Sequence, residues 1–356
     1  MKLKLYITAF LYLSIMIFAQ KKTFKCEKIY DAIKLVDAKK YDEGIAILKE
    51  CEKIDSKDIT YPYEIALAYT YKGDYKNAVS QLEKIKNYEN IHDSYFALLG
   101  NNFDYLNNPE QAIKTYDDGL KKFPNSGKLY LEKGVVFEFE KKYAEAVKTY
   151  EKGISVQPDY PSNYFRVAKM YMNSNDRLSG LIYGEIFVNL ERTTARTKEI
   201  SELLYEIYKK SIIFESKETK KIEFCKAVID IEKFDKTNKL PFCVIFGKNF
   251  IIAMMDQNEF SLDNLSSIRN LFVKEYFNGD YQNYPNVLLS YFKKMQDNNV
   301  LNAYNHYIFQ MGDSKAFESW LEKHETEYNQ FVEWYTRDEN SIQIDKKNVF
   351  ISDQIK

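Results

Sequence analysis

The fold is decided by two segments that follow one another directly: 93-DSYFALLGNNFDYLNNPEQAIKTYDDGLKKFPNS-126 and 127-GKLYLEKGVVFEFEKKYAEAVKTYEKGISVQPDY-160. Laid over each other, they place Gly100 on Gly134, Phe103 on Phe137, Ala112 on Ala146, Tyr116 on Tyr150, Gly119 on Gly153 and Pro124 on Pro158. Outward from this pair, a small residue recurs every thirty-four positions, at Ala32, Ala66, Gly100, Gly134 and Ala168. Twelve places after each stands a second small residue, Gly44, Ala78, Ala112, Ala146 and Gly180, and three places after each stands a bulky one, Leu35, Tyr69, Phe103, Phe137 and Tyr171. A fixed period of this length marks stacked supersecondary units, none of which buries its apolar face alone. Lys72-Gly73-Asp74-Tyr75 and Asn107-Asn108-Pro109 supply turn chemistry inside the units, where Gly and Asn accept left-handed backbone angles and Pro opens the following helix.

This pattern resembles the tetratricopeptide repeat over residues 25–194, in five units, with units two to four the fullest matches. The resemblance implies an all-α fold, a right-handed α-α superhelix of helix pairs followed here by a further helical region, 195–356. In the family a bulky residue four places after the second small one packs between units. Leu48, Leu82, Tyr116 and Tyr150 fit that place, whereas Gly184 departs from it and leaves the fifth unit's second helix unsupported by the pattern. The resemblance also implies that ligands are read by the second, fifth, ninth and twelfth places of the first helices, on the concave face. Those places include Tyr63, Leu67, Ala97, Asn101, Asp104, Leu131, Val135, Glu138, Phe165 and Lys169. Members that grip a C-terminal carboxylate need Lys and Asn at particular places. Only Asn101 fits, so that specificity is not implied.

Beyond Arg192 the register fails, with Glu202 and Phe214 where small residues would recur. Apolar residues at helical spacing mark further helices over Glu202–Phe214, Glu218–Phe234, Pro241–Met255, Leu262–Phe277 and Pro285–Met295. Leu301–Met311 and Ala316–Tyr335 then flank Gly312-Asp313 like one more degenerate pair, with His324 in the apolar stripe of the second. Phe242–Met255 is apolar on every side except at Lys248 and Asn249, which reads as a buried central helix more readily than as two strands.

Twelve Gly and seven Pro against 16% aromatic residues disfavour a turn-rich β fold, and 45% hydrophobic residues suffice for a core. A net charge of -1 creates no field to attract phosphates, so nucleic acid is not an expected partner. Lys2 and Lys4, then the uncharged apolar run from Leu5 to Ala19, read as a secretory signal peptide over residues 1–19. A spanning helix needs roughly 18 to 20 apolar residues, which favours a cleaved leader over an uncleaved anchor. Since the first cysteine, Cys26, does not follow the run directly, the chain offers no lipid-attachment site. The location implied is extracytoplasmic, periplasmic or secreted, with membrane association only through a partner.

In such a compartment the four cysteines are free to pair. If the first unit is an antiparallel pair, Cys26 and Cys51 lie near adjoining helix ends, offset by roughly 5 Å along the axis, and are the candidate disulfide. Cys225 and Cys243, read as lying deep in one helix and at the start of the next, are separated by roughly 10 Å and are expected to stay reduced. His92, His306 and His324 show no metal-ligand spacing, so no metal or cofactor is expected. No phosphate loop, dinucleotide fingerprint or nucleophile elbow is present, and Asp117-Asp118 point apart on a helix as a solvated pair. Three functions stay open. The favoured one is a non-catalytic scaffold holding a peptide or partner protein on the concave face. The others are a structural or assembly component whose groove its own C-terminal helices fill, and an enzyme with its site in 195–356.

The native protein is expected to begin at or near Gln20 and to carry no lipid. Intact mass tests this, and a mass that retains Met1–Ala19 or adds acyl chains refutes it.

Overall fold

In the computed structural model, which describes residues 24–216, 218–226 and 239–355, each thirty-four-residue period is a pair of helices. The leader expected at 1–19 lies outside the described residues. The chain divides into two compact units, up to Ile91 and from His92 onward.

The first unit holds α1 (Ile29–Asp37), α2 (Tyr41–Ile54), α3 (Thr60–Lys72) and α4 (Tyr75–Ile85). Ala32, Val36, Leu48, Tyr61 and Ile65 are at its centre. Cys26 stands in the turn just ahead of α1 and is disulfide-bonded to Cys51 near the end of α2, with Cα atoms 5.2 Å apart.

The second unit opens with three pairs, α5 (Asp93–Tyr105) with α6 (Pro109–Lys122), α7 (Gly127–Phe139) with α8 (Tyr143–Val156), and α9 (Pro161–Met172) with α10 (Arg177–Leu190). The recurring small residues have a direct cause. A Cβ on Gly100 would overlap the Tyr116 ring and one on Gly134 the Tyr150 ring, so each glycine admits the tyrosine of its partner helix. Three second helices, α4, α6 and α10, start on side-chain caps: Asp74, Asn108 and Asp176 accept the backbone N–H three residues on. The turns inside the first four pairs share a left-handed residue at one register, Lys39, Gly73, Asn107 and Lys141. Gly and Asn take that conformation readily, whereas a lysine is strained in it.

The sequence pattern is corrected at the fifth pair. Despite Gly184, α10 is a full helix, buried from Leu178 to Asn189. The missing bulk comes from the other helix, because the Met172 methyl group stands 2.6 Å from where a Gly184 Cβ would be. Next comes α11 (Ala195–Ser211), which packs on α10 and α9 as α9 packs on α8 and α7. It prolongs the stack although Glu202 replaces the small residue. Among the described residues no second helix pairs with α11 as in the earlier units, and Glu202 is exposed.

From Ile212 the expected helices give way. The helix expected over Glu218–Phe234 is absent from the described part of that span. Instead Ile212–Phe214 (β1) and Lys220–Ile222 (β2) form a short antiparallel pair, Ile212 opposite Ile222. Cys225 therefore lies in the irregular segment after β2 rather than deep in a helix, and it is disulfide-bonded to Cys243, correcting the expectation of two thiols. Then follow α12 (Phe242–Ala253), α13 (Leu262–Gly279), α14 (Val287–Asp297), α15 (Leu301–Ile308) and α16 (Ser314–Tyr335). The α12 helix is not central: it buries Phe242, Phe246 and Phe250 but exposes Ile251 and Ile252. Around Gly312-Asp313 the analogy with Gly73-Asp74 extends to the cap, since Asp313 accepts the Ala316 N–H. The α16 helix breaks at His324, whose ring stacks on Trp320 at 4.9 Å while Nδ1 bonds the Trp320 carbonyl at 2.8 Å.

Residues 341–355 return as a strap. Phe350 is buried 5.0 Å from the Tyr183 ring, and the Ser352 N–H donates to the Tyr183 hydroxyl at 2.9 Å. No helix among the described residues is long and apolar enough to cross a membrane.

Two substitutions at neighbouring positions of one pair are expected to move stability in opposite directions. Ala146 is fully buried one turn before Tyr150 on α8, so Ala146→Leu overpacks the pair and costs about 1 to 3 kcal/mol. Lys141→Gly relieves the left-handed turn by roughly 1 kcal/mol. Thermal unfolding of both variants checks the assignment, and equal midpoints for the two would reject it.

Candidate partner-binding face

The residues expected to read a ligand fall in both units. In the first, Tyr63 and Leu67 lie half-buried on α3. In the second, α5, α7, α9 and α11 follow one another as neighbours. On these, Ala97 and Phe165 are buried, while Asn101, Asp104, Leu131, Val135, Glu138 and Lys169 are half-buried. The face thus has an apolar floor with polar groups above it.

Its polar groups are held in place by the packing residues beneath. The Asn101 amide, turned with its nitrogen toward the surrounding acceptors, shares its two N–H groups among Glu132 Oε2 at 3.2 Å, the Ala97 carbonyl at 3.0 Å and the Tyr116 hydroxyl at 2.5 Å. The tyrosine that packs against Gly100 therefore also fixes a polar side chain on the face. In the next pair the same device recurs, with the Tyr150 hydroxyl donating to Glu138 Oε2 at 2.7 Å. Glu138 also lies 3.7 Å from the Arg166 guanidinium. Lys169 pairs with Glu199 of α11 at 2.6 Å and stands over the Phe165 ring at 5.0 Å, with the Arg196 guanidinium 5.1 Å from the same ring.

Two carboxyls here titrate above their ordinary range. Burial raises Glu132, an effect added to by Asp104 and opposed by the Asn101 hydrogen bond and by Arg166 and Lys128. Burial raises Asp104 as well, assisted by the Glu140 charge. Both belong to the α5–α7 part of the face, whereas Arg166, Lys169 and Arg196 gather on α9 and α11. These three cations are each paired with a carboxylate, Arg166 with Glu138, Lys169 with Glu199 and Arg196 with Glu191.

Glu132 and Arg166 were not among the residues read from the family pattern. They occupy the sixth place of their first helices, in register with Glu64 and Leu98. Charge recurring at a place where Leu98 shows apolar packing was the available signal. The histidines do not join this face. His306 and His324 flank Trp320, with His306 Nε2 at 2.9 Å from Asp263, and His92 precedes α5. Among the described residues no group of His, Cys, Asp or Glu is placed to hold a metal ion.

Residues 127–160 match the tetratricopeptide repeat family model. No curated protein matches the chain in sequence. Among solved structures, PilW, a widely conserved type IV pilus biogenesis factor, is 17% identical over 51% of this chain and 83% of its own, with a TM-score of 0.42. TTC0263, a tetratricopeptide repeat protein of Thermus thermophilus, is 16% identical over 49% of this chain and 96% of its own, with a TM-score of 0.41. MamA of Desulfovibrio magneticus RS-1 is 16% identical over 47% and 94%, with a TM-score of 0.38.

Glu132→Gln is expected to raise the melting temperature at pH 7. A carboxyl raised on folding holds its proton more tightly in the folded chain, so its stabilising contribution is complete in acid and is lost as pH rises through the folded-state value. The variant's advantage should shrink toward about pH 4, and a lower melting temperature than the parent at pH 7 would overturn the assignment.

Proposed function

We propose that the chain is a non-catalytic scaffold outside the cytoplasm that holds a peptide or a segment of a partner protein on the first-helix face of its repeats. The observation that carries this is a face of half-buried polar side chains, Asn101, Asp104 and Glu138, set beside Leu131 and Val135, with Asn101 and Glu138 oriented by the tyrosines of the second helices. Such a mixture suits a polypeptide, whose backbone needs hydrogen bonds and whose side chains need apolar contact. An exported location is supported by the composition of residues 1–19 and by the pairing of all four cysteines.

The self-filled reading is less well supported, because the C-terminal helices bury their apolar surface on α10. Leu178 to Asn189 are buried, and α10 packs against α11 and α14. Truncation near Arg192 would expose that surface whichever reading holds, so a useful test keeps 195–356 in place.

Capture from the cell envelope with the leaderless protein as bait is expected to enrich a partner that Val135→Glu and Asn101→Ala release, each weakening binding about tenfold or more. A partner retained equally by both variants would place the binding surface elsewhere.

A further inference from the structure

The side chain of His306, on α15, is 2% exposed, and both of its ring nitrogens face oxygen atoms: Nδ1 stands 2.9 Å from the Asn302 carbonyl and Nε2 stands 2.9 Å from Asp263 Oδ1. A neutral imidazole carries one N–H and one lone pair, so it meets only one of these acceptors, whereas the imidazolium meets both. Trp320 of α16 lies nearly parallel to the ring, with centroids 4.1 Å apart and planes at 11°. A cation over an indole face is attracted by the ring quadrupole. Trp320 also stacks on His324, the residue at which α16 leaves helical geometry (φ -128°, ψ 27°).

The ring closes a polar seam. Asp263, Ser266 and Arg269, three residues apart on α13, bond His306, Asn302 and Asn305 of α15, and the Asn302 amide donates to Glu327 of α16 at 2.8 Å. The other charges at this junction are engaged elsewhere: Arg269 with Glu185, and on α14, which also packs on α15, Lys293 with Asp297 and Lys294 with the Glu339 carbonyl. The Asp263 carboxylate is therefore the charge that faces the ring, and it holds the proton on Nε2. The proton that can leave to solvent is the one on Nδ1, and its loss turns a lone pair toward the Asn302 oxygen in a buried site. We infer that His306 is a proton-operated clasp: doubly protonated, it ties α13 to the α15–α16 pair, and loss of one proton releases the part of α16 that carries Trp320, hinged at His324. That part begins beside Gly312, which packs on the Tyr205 ring, and Asp313, which accepts from the Tyr205 hydroxyl at 3.1 Å. Because Tyr205 belongs to α11, the clasp bears on the last helix of the first-helix stack.

The chain has two tryptophans, so the leaderless full chain carrying Trp334→Phe leaves Trp320 as the reporter. Its emission is followed at constant ionic strength across the histidine range, about pH 5 to 8. Emission quenched by the stacked imidazolium is expected in acid. It should rise and shift to the red in one step as pH increases, while the far-ultraviolet circular dichroism stays constant. His306→Gln should remove the step and His324→Gln should keep it. Asp263→Asn, at a side chain 76% exposed and so tolerant of replacement, should move the step about half a pH unit lower. The inference is overturned if the emission is flat between pH 5 and 8, if the step survives in His306→Gln, or if Asp263→Asn leaves its midpoint in place. A step lost in His324→Gln as well as in His306→Gln would also overturn it, since the response would then belong to the three-ring stack and not to the His306 clasp.

Discussion

A buried ion pair ties the last repeat helix of the second unit to the helices that follow. Glu185 on α10 and Arg269 on α13 are nearly inaccessible and meet through two hydrogen bonds, at 2.5 and 2.8 Å. Asn305 of α15 accepts from Arg269 Nε at 2.8 Å, and the hydroxyls of Tyr208 and Tyr304 complete the shell. Taking two charges out of water is expensive, so such a pair persists only when its remaining hydrogen bonds are met, and deleting one member costs roughly 3 to 5 kcal/mol. The guanidinium also lies over the rings of Phe292 and Phe309, at 4.6 and 5.0 Å. Helices from three parts of the chain must therefore be placed together before any of these groups can be buried. This constraint turns α10 from the last helix of an array into the centre of a larger core.

The repeats were readable from sequence because their determinants are local and periodic. Gly100 and Gly134 recur because Tyr116 and Tyr150 need the space, and the caps at Asp74, Asn108 and Asp176 act within one turn. Where one helix supplies what another lacks, periodicity misleads. Gly184 read as a missing residue because the filling side chain, Met172, belongs to the preceding helix. The β1–β2 pair was missed for a related reason: three-residue strands carry too little pattern to compete with apolar spacing that also suits a helix. Glu185 and Arg269 lie eighty-four residues apart, and nothing in the sequence pairs them.

The binding face was legible in outline only. Family positions located Asn101, Val135 and Glu138, but the groups that set its electrostatics, Glu132 and Arg166, stand one place off that register. Whether a carboxyl is paired or merely buried depends on neighbours in the next helix pair. Asp104 and Glu132 gain a shared field from α5 and α7 packing side by side, a relation that no linear spacing states.

The strap carries a consequence for the order of folding. Ser352 bonds Glu151 and Tyr183, partners 201 and 169 residues earlier, whereas the pairs α5–α6 and α7–α8 close over contacts a few turns apart. Loop-closure entropy makes such distant contacts late ones. The helix pairs can therefore assemble while Glu151 and Tyr183 still lack their Ser352 partner, and that contact forms only when the strap docks. The strap is thus among the last parts of the molecule to find its place.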